Sequence, residues 1–368
     1  MRIRTQLREI ASFAKGSQIN GDDLIENGEY DYLNGGISPS GKWNAYNTPG
    51  RTVTISEGGN SCGYVNYMRK PFWCGAHCYY LFDTINNTEY LYYMLKSQQA
   101  RLMKLRSGAC MPNIKKADLG SFELEYEADT DKQQHVVSIL ERVEGIITAR
   151  KQQLSALDDL IKARFVEMFG DPEAGTCRYN ATKLGALSVK ISDGVHAKPN
   201  YTESGRPFLS VVNINKGIVD FTDCKYVSEE DYQKMIKSTH PENGDVLYTK
   251  VGATYGIPAY VDTDKEFCLY VSVCLIKPKH EIINARFLSI QMGMPSIKHQ
   301  ADARIKGIGV PDLHLNQIRE FDIICPPRTL QDEFVAFVDQ VDKSKSVIQK
   351  SLDETQLLFD NLMQEYFG

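Results

Sequence analysis

Apolar residues recur between residues 136 and 168 at alternating steps of four and three: Val136, Leu140, Val143, Ile147, Leu154, Leu157, Ile161 and Met168, with Arg150 and Arg164 in the two remaining positions of the series. An apolar period of 3.5 residues sustained for more than four heptads predicts a long helix whose narrow stripe seats against another helix. The period returns at Phe334, Val338, Val341, Ile348, Leu352, Phe359 and Met363, with Lys345 and Thr355 in two seam positions. Polar seam residues cost stability but fix register. A whole globular segment separates the two stripes, so the helices are expected to pair with each other as an antiparallel coiled coil.

Ahead of each stripe the pattern changes to short apolar runs broken by glycine. Strands are expected from Arg51 to Ser56, Gly63 to Met68 and His77 to Phe82, and their counterparts from Asp245 to Lys250, Pro258 to Asp262 and Leu269 to Lys277. An amphipathic helix follows in each case, from about Asn87 to Leu105 and from about Asn284 to Gln300.

These parallels reflect a duplication. Met111-Pro-Asn-Ile, Phe122-Glu-Leu-Glu and Phe169-Gly170 are matched by Val310-Pro-Asp-Leu, Phe321-Asp-Ile-Ile and Phe367-Gly368. The offset between copies is 177 at Leu7 and Leu184, 194 at Gly50 and Gly244, and 194 to 199 thereafter, which predicts one insertion in the second copy around Asp220 to Asn243. Two long copies indicate duplicated domains, whereas a solenoid needs three or more short repeats. The expected fold class is α+β: two duplicated globular α/β domains separated by two long helices that form an antiparallel coiled coil, in a pseudo-twofold arrangement. The expected boundaries are a first head at 1–128, a central helix at 129–170, a second head at 171–327 and a C-terminal helix at 328–368.

A chain of 368 residues is long enough for two independent cores. No run approaches the roughly 18 apolar residues that span a bilayer, and Met1-Arg-Ile-Arg is followed by no apolar signal region, so a cytoplasmic protein without a membrane partner is expected. The nine cysteines, without a C-x-x-C pair, read as reduced thiols. A net charge of −5 argues against a protein that coats nucleic acid unaided, although Arg101, Lys104, Arg106, Lys115 and Lys116 face only Asp118 between Gln98 and Leu119.

Two motifs invite chemistry they do not support. Gly36-Ile-Ser-Pro-Ser-Gly41-Lys42 has phosphate-loop spacing, but Trp43 follows where a magnesium-binding hydroxyl is needed, Pro39 removes an amide, and Tyr30-Asp-Tyr-Leu-Asn-Gly before it is a poor buried strand. Cys74-Gly-Ala-His77-Cys78, with Cys62 nearby, fits no common zinc spacing, and only Cys274 aligns with one of these cysteines in the second copy. No metal or cofactor is expected.

The segment Gly244-Asp-Val-Leu-Tyr-Thr-Lys-Val-Gly-Ala-Thr-Tyr-Gly256, the run Pro326-Pro327-Arg-Thr-Leu-Gln331 leading into a long helix, and the head-helix-head-helix plan resemble the specificity (S) subunit of type I restriction-modification systems. The resemblance covers essentially the whole chain. It implies that each head is a target-recognition domain reading one half of a bipartite double-stranded DNA site. It also implies that the helices set the spacing and dock two methyltransferase (M) subunits, and that restriction (R) subunits join in the full complex. The chain itself would then be non-catalytic, directing adenine methylation and ATP-dependent cleavage performed by its partners. In agreement, the one Pro-Pro, Cys325-Pro-Pro-Arg328, lacks the flanking residues of an adenine-methylating motif, and no glycine-rich nucleotide fingerprint is present. The first copy departs from the pattern, reaching its helix through Tyr126-Glu-Ala-Asp-Thr-Asp131 without Pro-Pro, although Gln133 aligns with Gln331.

Polar and basic residues in loops beside the strands and at basic helix ends are the expected DNA contacts. In the first head these are Lys42, Asn44, Arg51, Asn60, Arg101, Lys104 and Arg106; in the second, His196, Lys198, Lys250, Tyr255, Lys298, Arg304 and Lys306. Arginine and lysine suit guanine and phosphate, and asparagine suits adenine. The rival reading is a duplicated adaptor or scaffold on a coiled coil that binds no DNA, and the acidic net charge is its main support.

Overall fold

The computed structural model describes residues 2–85, 87–108, 112–197, 199–305 and 309–368. They form two compact units, Met1–Gln153 with Ile348–Gly368, and Leu154–Val347. The division falls inside both long helices, Thr130–Phe169 and Arg328–Phe367.

The first unit is built on a four-stranded antiparallel sheet in the order Ser12–Lys15, Cys78–Phe82, Thr52–Ser56, Val65–Met68. All five residues of Thr52–Ser56 are buried, because both faces of this strand are covered. The helix Thr88–Ser97 starts where the Asn87 side chain accepts the Tyr90 N–H. It buries Tyr90, Leu91, Met94 and Leu95 in one core with Val53, Ile55 and Leu81. A smaller sheet places Tyr30–Leu33 between Gly41–Trp43, antiparallel, and Phe72–Cys74, parallel. Arg2–Gln6 pairs with Glu123–Glu127.

The second unit repeats the plan. Its main sheet runs Ser188–Asp193, Val273–Pro278, Val246–Thr249, Pro258–Tyr260. Its smaller sheet runs Tyr201–Thr202, Lys225–Val227, Arg206–Leu209, Cys268–Leu269, again with one parallel pair. Ala181–Lys183 pairs with Asp322–Ile324, and Asn284 caps the helix Ala285–Met292.

Several expectations are corrected in detail. The two amphipathic helices are each broken, at Gln98 and at Gly293-Met294. The apolar stretch from Leu269 to Lys277 supplies strands to two different sheets, turning between them at Tyr270 to Ser272. Tyr30–Leu33 is a strand buried only in its second half, with Asp31 exposed and Tyr32 and Leu33 buried. The length difference between copies enters in two steps. The offset is 176 from Tyr30 to Arg206, 184 from Gly41 to Lys225 and 194 from Thr52 to Val246, and the second step contains the extra helix Glu229–Met235.

Each unit holds a stretch of both long helices, and within the second unit their antiparallel sense is direct. Lys345 Nζ lies 2.6 Å from Asp158 and Arg164 Nη2 lies 3.1 Å from Glu333, so residues later in one helix meet residues earlier in the other. Phe334, Val338, Val341 and Ile161 are buried together with Leu157 against them. In the first unit Leu140 shares a core with Phe359, Met363 and Phe367. Every expected seam residue is buried or half-buried. The period did not disclose Val137, Phe165 and Phe169, which lie off the seam and dock the helices onto the heads. Phe165 and Phe169 sit 5.7 and 5.5 Å from Phe334, and 6.1 and 5.3 Å from Phe287, between ring centroids.

A buried glutamine ties each head to the helix that follows it. Gln133 Oε1 accepts the Asn87 backbone N–H at 2.9 Å and its Nε2 donates to Glu127 O at 2.6 Å. Gln331 Oε1 accepts the Asn284 N–H at 2.7 Å and its Nε2 donates to Pro326 O at 2.7 Å. The first junction therefore has the geometry of the second without Pro-Pro.

Candidate nucleic-acid interface

In both heads three loops converge at one end of the main sheet, held by the same backbone hydrogen bonds. In the first head Glu57 N donates to His77 O, Ile114 N to Glu57 O and Gly59 N to Pro112 O, at 2.9, 2.9 and 3.0 Å. In the second Lys250 N donates to Ser272 O, Leu313 N to Lys250 O and Gly252 N to Pro311 O, at 3.0, 2.9 and 2.9 Å. Glu57 and Lys250 thus occupy equivalent positions and carry opposite charges.

The surroundings invert with them. The Glu57 carboxylate accepts Lys15 Nζ at 2.6 Å and lies 3.4 Å from His77 Nδ1. The Lys250 ammonium lies 3.3 Å from Asp312 and 3.6 Å from Asp193, whose other oxygen is 3.6 Å from His196 Nε2. Burial pushes the Asp193 carboxyl above its usual range, with Lys250 opposing the shift. Lys250 is itself buried, with a side chain only 5% exposed. A lysine after an apolar strand reads as a surface cation, but here it is the centre of a salt-bridged cluster and its ammonium is committed inside the head.

Other expected contacts fall into distinct settings. Asn60 and Arg106 are exposed beside the converging loops, and Ser107 pairs with Asn113 there. His196 is exposed at the matching place in the second head. Lys298 lies 3.3 Å above the Tyr255 ring, and both donate to Asp302, which they hold below the usual carboxylate range. Arg101 stacks 4.9 Å over Phe122 and donates to Glu123 O; Arg304 stacks 5.4 Å over Phe321 and donates to Glu320 O. These two arginines brace equivalent phenylalanines. Lys104 is exposed near Asp118. Lys42 is exposed on Gly41–Trp43, near Asp31 and Glu26, with Asn44 just beyond. Arg51, at φ 57°, pairs with Glu89 at 2.6 Å. Lys198 and Lys306 lie outside the described residues.

Sequence reasoning passed over Lys15, Glu57, Asp193 and Asp312, and weighed His77 only as a zinc ligand. The signal was present in the repeat itself, since aligning Gly50 with Gly244 brings Glu57 beside Lys250 and Val251. The phosphate-loop spacing ends in a strand at Lys42 instead of a helix, so its amides form no helix N-terminus. Cys62, Cys74 and Cys78 are buried in the core, and among the described residues no three potential metal ligands converge.

Against this geometry the comparisons with known proteins are specific. The chain belongs to the type I restriction modification DNA specificity domain family, whose model matches residues 4–157 and again 195–355. Two relatives named as type I specificity subunits, from Mycoplasma genitalium and Mycoplasma pneumoniae, are 34% identical over 149 residues and 37% identical over 116. These matches cover 40% and 31% of this chain but only 38% and 31% of the relatives' own length. The EcoKI specificity subunit of Escherichia coli is 21% identical over 348 residues, covering 85% of this chain and 72% of the relative. The fold matches the crystal structure of a type I S subunit from M. genitalium with a TM-score of 0.64 at 20% identity, over 100% of this chain and 96% of that one.

Proposed function

We propose that this chain is the DNA sequence-recognition subunit of a type I restriction-modification complex, with each head reading one half of a bipartite site. The observation that carries the reading is the duplicated loop platform: one backbone framework, built twice, with different side chains at equivalent positions. Such a device recognises two short sequences by similar means but with different base preferences. The family match spans both copies.

The long helices suit docking of methyltransferase subunits. Val347 and Leu357, 71% and 61% exposed, face away from the seam and offer apolar surface to a partner. With a net charge of −5 the chain depends on partners for much of the cationic surface that holds DNA. Methyl transfer and ATP-dependent cleavage belong to those partners, and the chain works where they meet DNA. No helix among the described residues is long and apolar enough to cross a membrane.

The test is co-expression with the neighbouring methyltransferase and base-resolution mapping of methyladenine in the host DNA. A two-part motif with a fixed gap is expected, changing in one half when one head is exchanged. A stable complex that methylates without sequence preference would overturn the reading.

A further inference from the structure

The converging loops of the first head border an open cleft of about 640 Å³, with Glu57, whose side chain is 11% exposed, in its lining. Lys15 and His77 stand at its wall with Asn34, Ser61 and Asn113 around it. The volume lies within the ordinary range for specific sites. The rim is thin, for Gly58 and Gly59 carry no side chains and a Cβ added to Gly59 would meet nothing within 4 Å. A nucleic-acid edge can therefore approach the backbone here.

Resting on the reading of the chain as a DNA recognition subunit, we propose that this cleft is a base-reading subsite and that Glu57 accepts a hydrogen bond from the exocyclic amino group of a base in the first half-site. A carboxylate is an acceptor with about four lone-pair positions. Lys15 occupies one on Oε1 and His77 approaches Oε2, which leaves acceptor capacity on both oxygens. In the major groove cytosine presents its N4 amine and adenine its N6 amine, whereas guanine and thymine present carbonyl oxygens there. A carboxylate attracts the first pair and repels the second. Lys15 and His77 hold the carboxylate in place, and the Lys15 ammonium neutralises part of its charge near the phosphates, so that an acid can sit in a DNA interface.

The second head cannot read in this way. At the equivalent position stands Lys250, a donor that cannot accept a hydrogen bond from a base amine, and its ammonium points between Asp193 and Asp312. The two half-sites are therefore read by different chemistry on one framework.

The experiment is methyladenine mapping with the intact methyltransferase complex carrying Glu57→Gln. The amide donates as well as accepts, so one cytosine or adenine position of the first half-site should admit guanine or thymine, its preference falling on the order of tenfold, while the second half-site stays as in the wild type. The unchanged half-site reports a folded complex. An unaltered motif, or relaxation confined to the second half-site, overturns the proposal. If Glu57→Gln does not assemble, His77→Gln, on a ring whose side chain is 59% exposed, is the second variant. It should shift base preference within the first half-site, and no shift there overturns the proposal. Failure of the underlying reading looks different, because the wild-type complex itself would then yield no two-part motif.

Discussion

Gln331 Oε1 accepts the backbone N–H of Asn284 at 2.7 Å, across 47 residues of sequence. The same glutamine amide donates to Pro326 O, and the Asn284 side chain caps the helix Ala285–Met292 by accepting the N–H groups of Arg286 and Phe287. One buried side chain thereby fixes where a head helix begins and where a long helix begins. The arrangement recurs with Gln133 and Asn87.

Truncating either glutamine strands a backbone N–H and a backbone carbonyl at a half-buried to buried junction. Gln331→Ala is expected to cost about 2 kcal/mol, and Asn284→Ala about 1 kcal/mol as a lost cap. Urea unfolding, followed by an aromatic reporter in the second unit, checks both. Equal, negligible effects of the two variants would contradict the clamp.

The aromatic cluster of Phe165, Phe169, Phe287 and Phe334 predicts a steep response to cavity formation. Phe334 is fully buried, so Phe334→Ala should destabilise the second unit by about 3–5 kcal/mol. Val347→Ala, at a residue 71% exposed on the same helix, should change stability by less than about 0.5 kcal/mol. Circular dichroism melts of the two variants against the wild type measure the contrast.

Asp193 predicts a defined pH dependence. Its folded pKa is raised by burial, so the native state holds this proton more tightly than the unfolded chain. The stabilising contribution is full below the ordinary aspartate value of about 3.9 and is lost as pH rises through the raised native value. Asp193→Asn removes the titration. The stability of the wild type relative to Asp193→Asn should therefore fall with rising pH from about 4 upwards, as read from urea midpoints. A difference that is flat or grows with pH would show that Lys250 outweighs burial.

Exposed and anchored arginines should separate in salt titrations of DNA binding. Arg106→Ala should reduce the slope of log K against log[salt] by about 0.9 if its guanidinium neutralises one phosphate. Arg304, whose guanidinium is spread over Phe321 and bound to backbone carbonyls, should change the slope little when replaced and should lower stability instead. Fluorescence anisotropy of the assembled complex at several salt concentrations makes the comparison.

The parts legible in the sequence were those set by local periodicity. The seam from Val136 to Ile161 and from Phe334 to Phe359 follows from heptad spacing alone, and the duplicated heads follow from matched motifs. Phe165 and Phe169 escaped because they fall outside the heptad positions, packing at once on Phe334 of the partner helix and on Phe287 of the head, and the heptad reports only the seam. The small sheets escaped because strands such as Gly41–Trp43 are three residues long and half open to solvent. Lys250 was read as a surface cation because its burial depends on Asp193 and Asp312, each about sixty residues away in the chain, and no local pattern announces that pairing. The polarity exchange with Glu57 lies within one position of the repeat alignment, and backbone hydrogen bonds fix the exact equivalence.

The division of the chain inside its long helices bears on how the protein is made. Residues 154–347 form a unit from one uninterrupted stretch, which can collapse as soon as that stretch has left the ribosome. The other unit, although most of it precedes that stretch in the chain, draws residues 348–368 into its core, where Phe367 lies 5.2 Å from Tyr90. The head that comes earlier in the chain is thus completed after the later one, and its part of the helix Thr130–Phe169, with Val137 and Leu140, is only partly covered until residues 348–368 have been made.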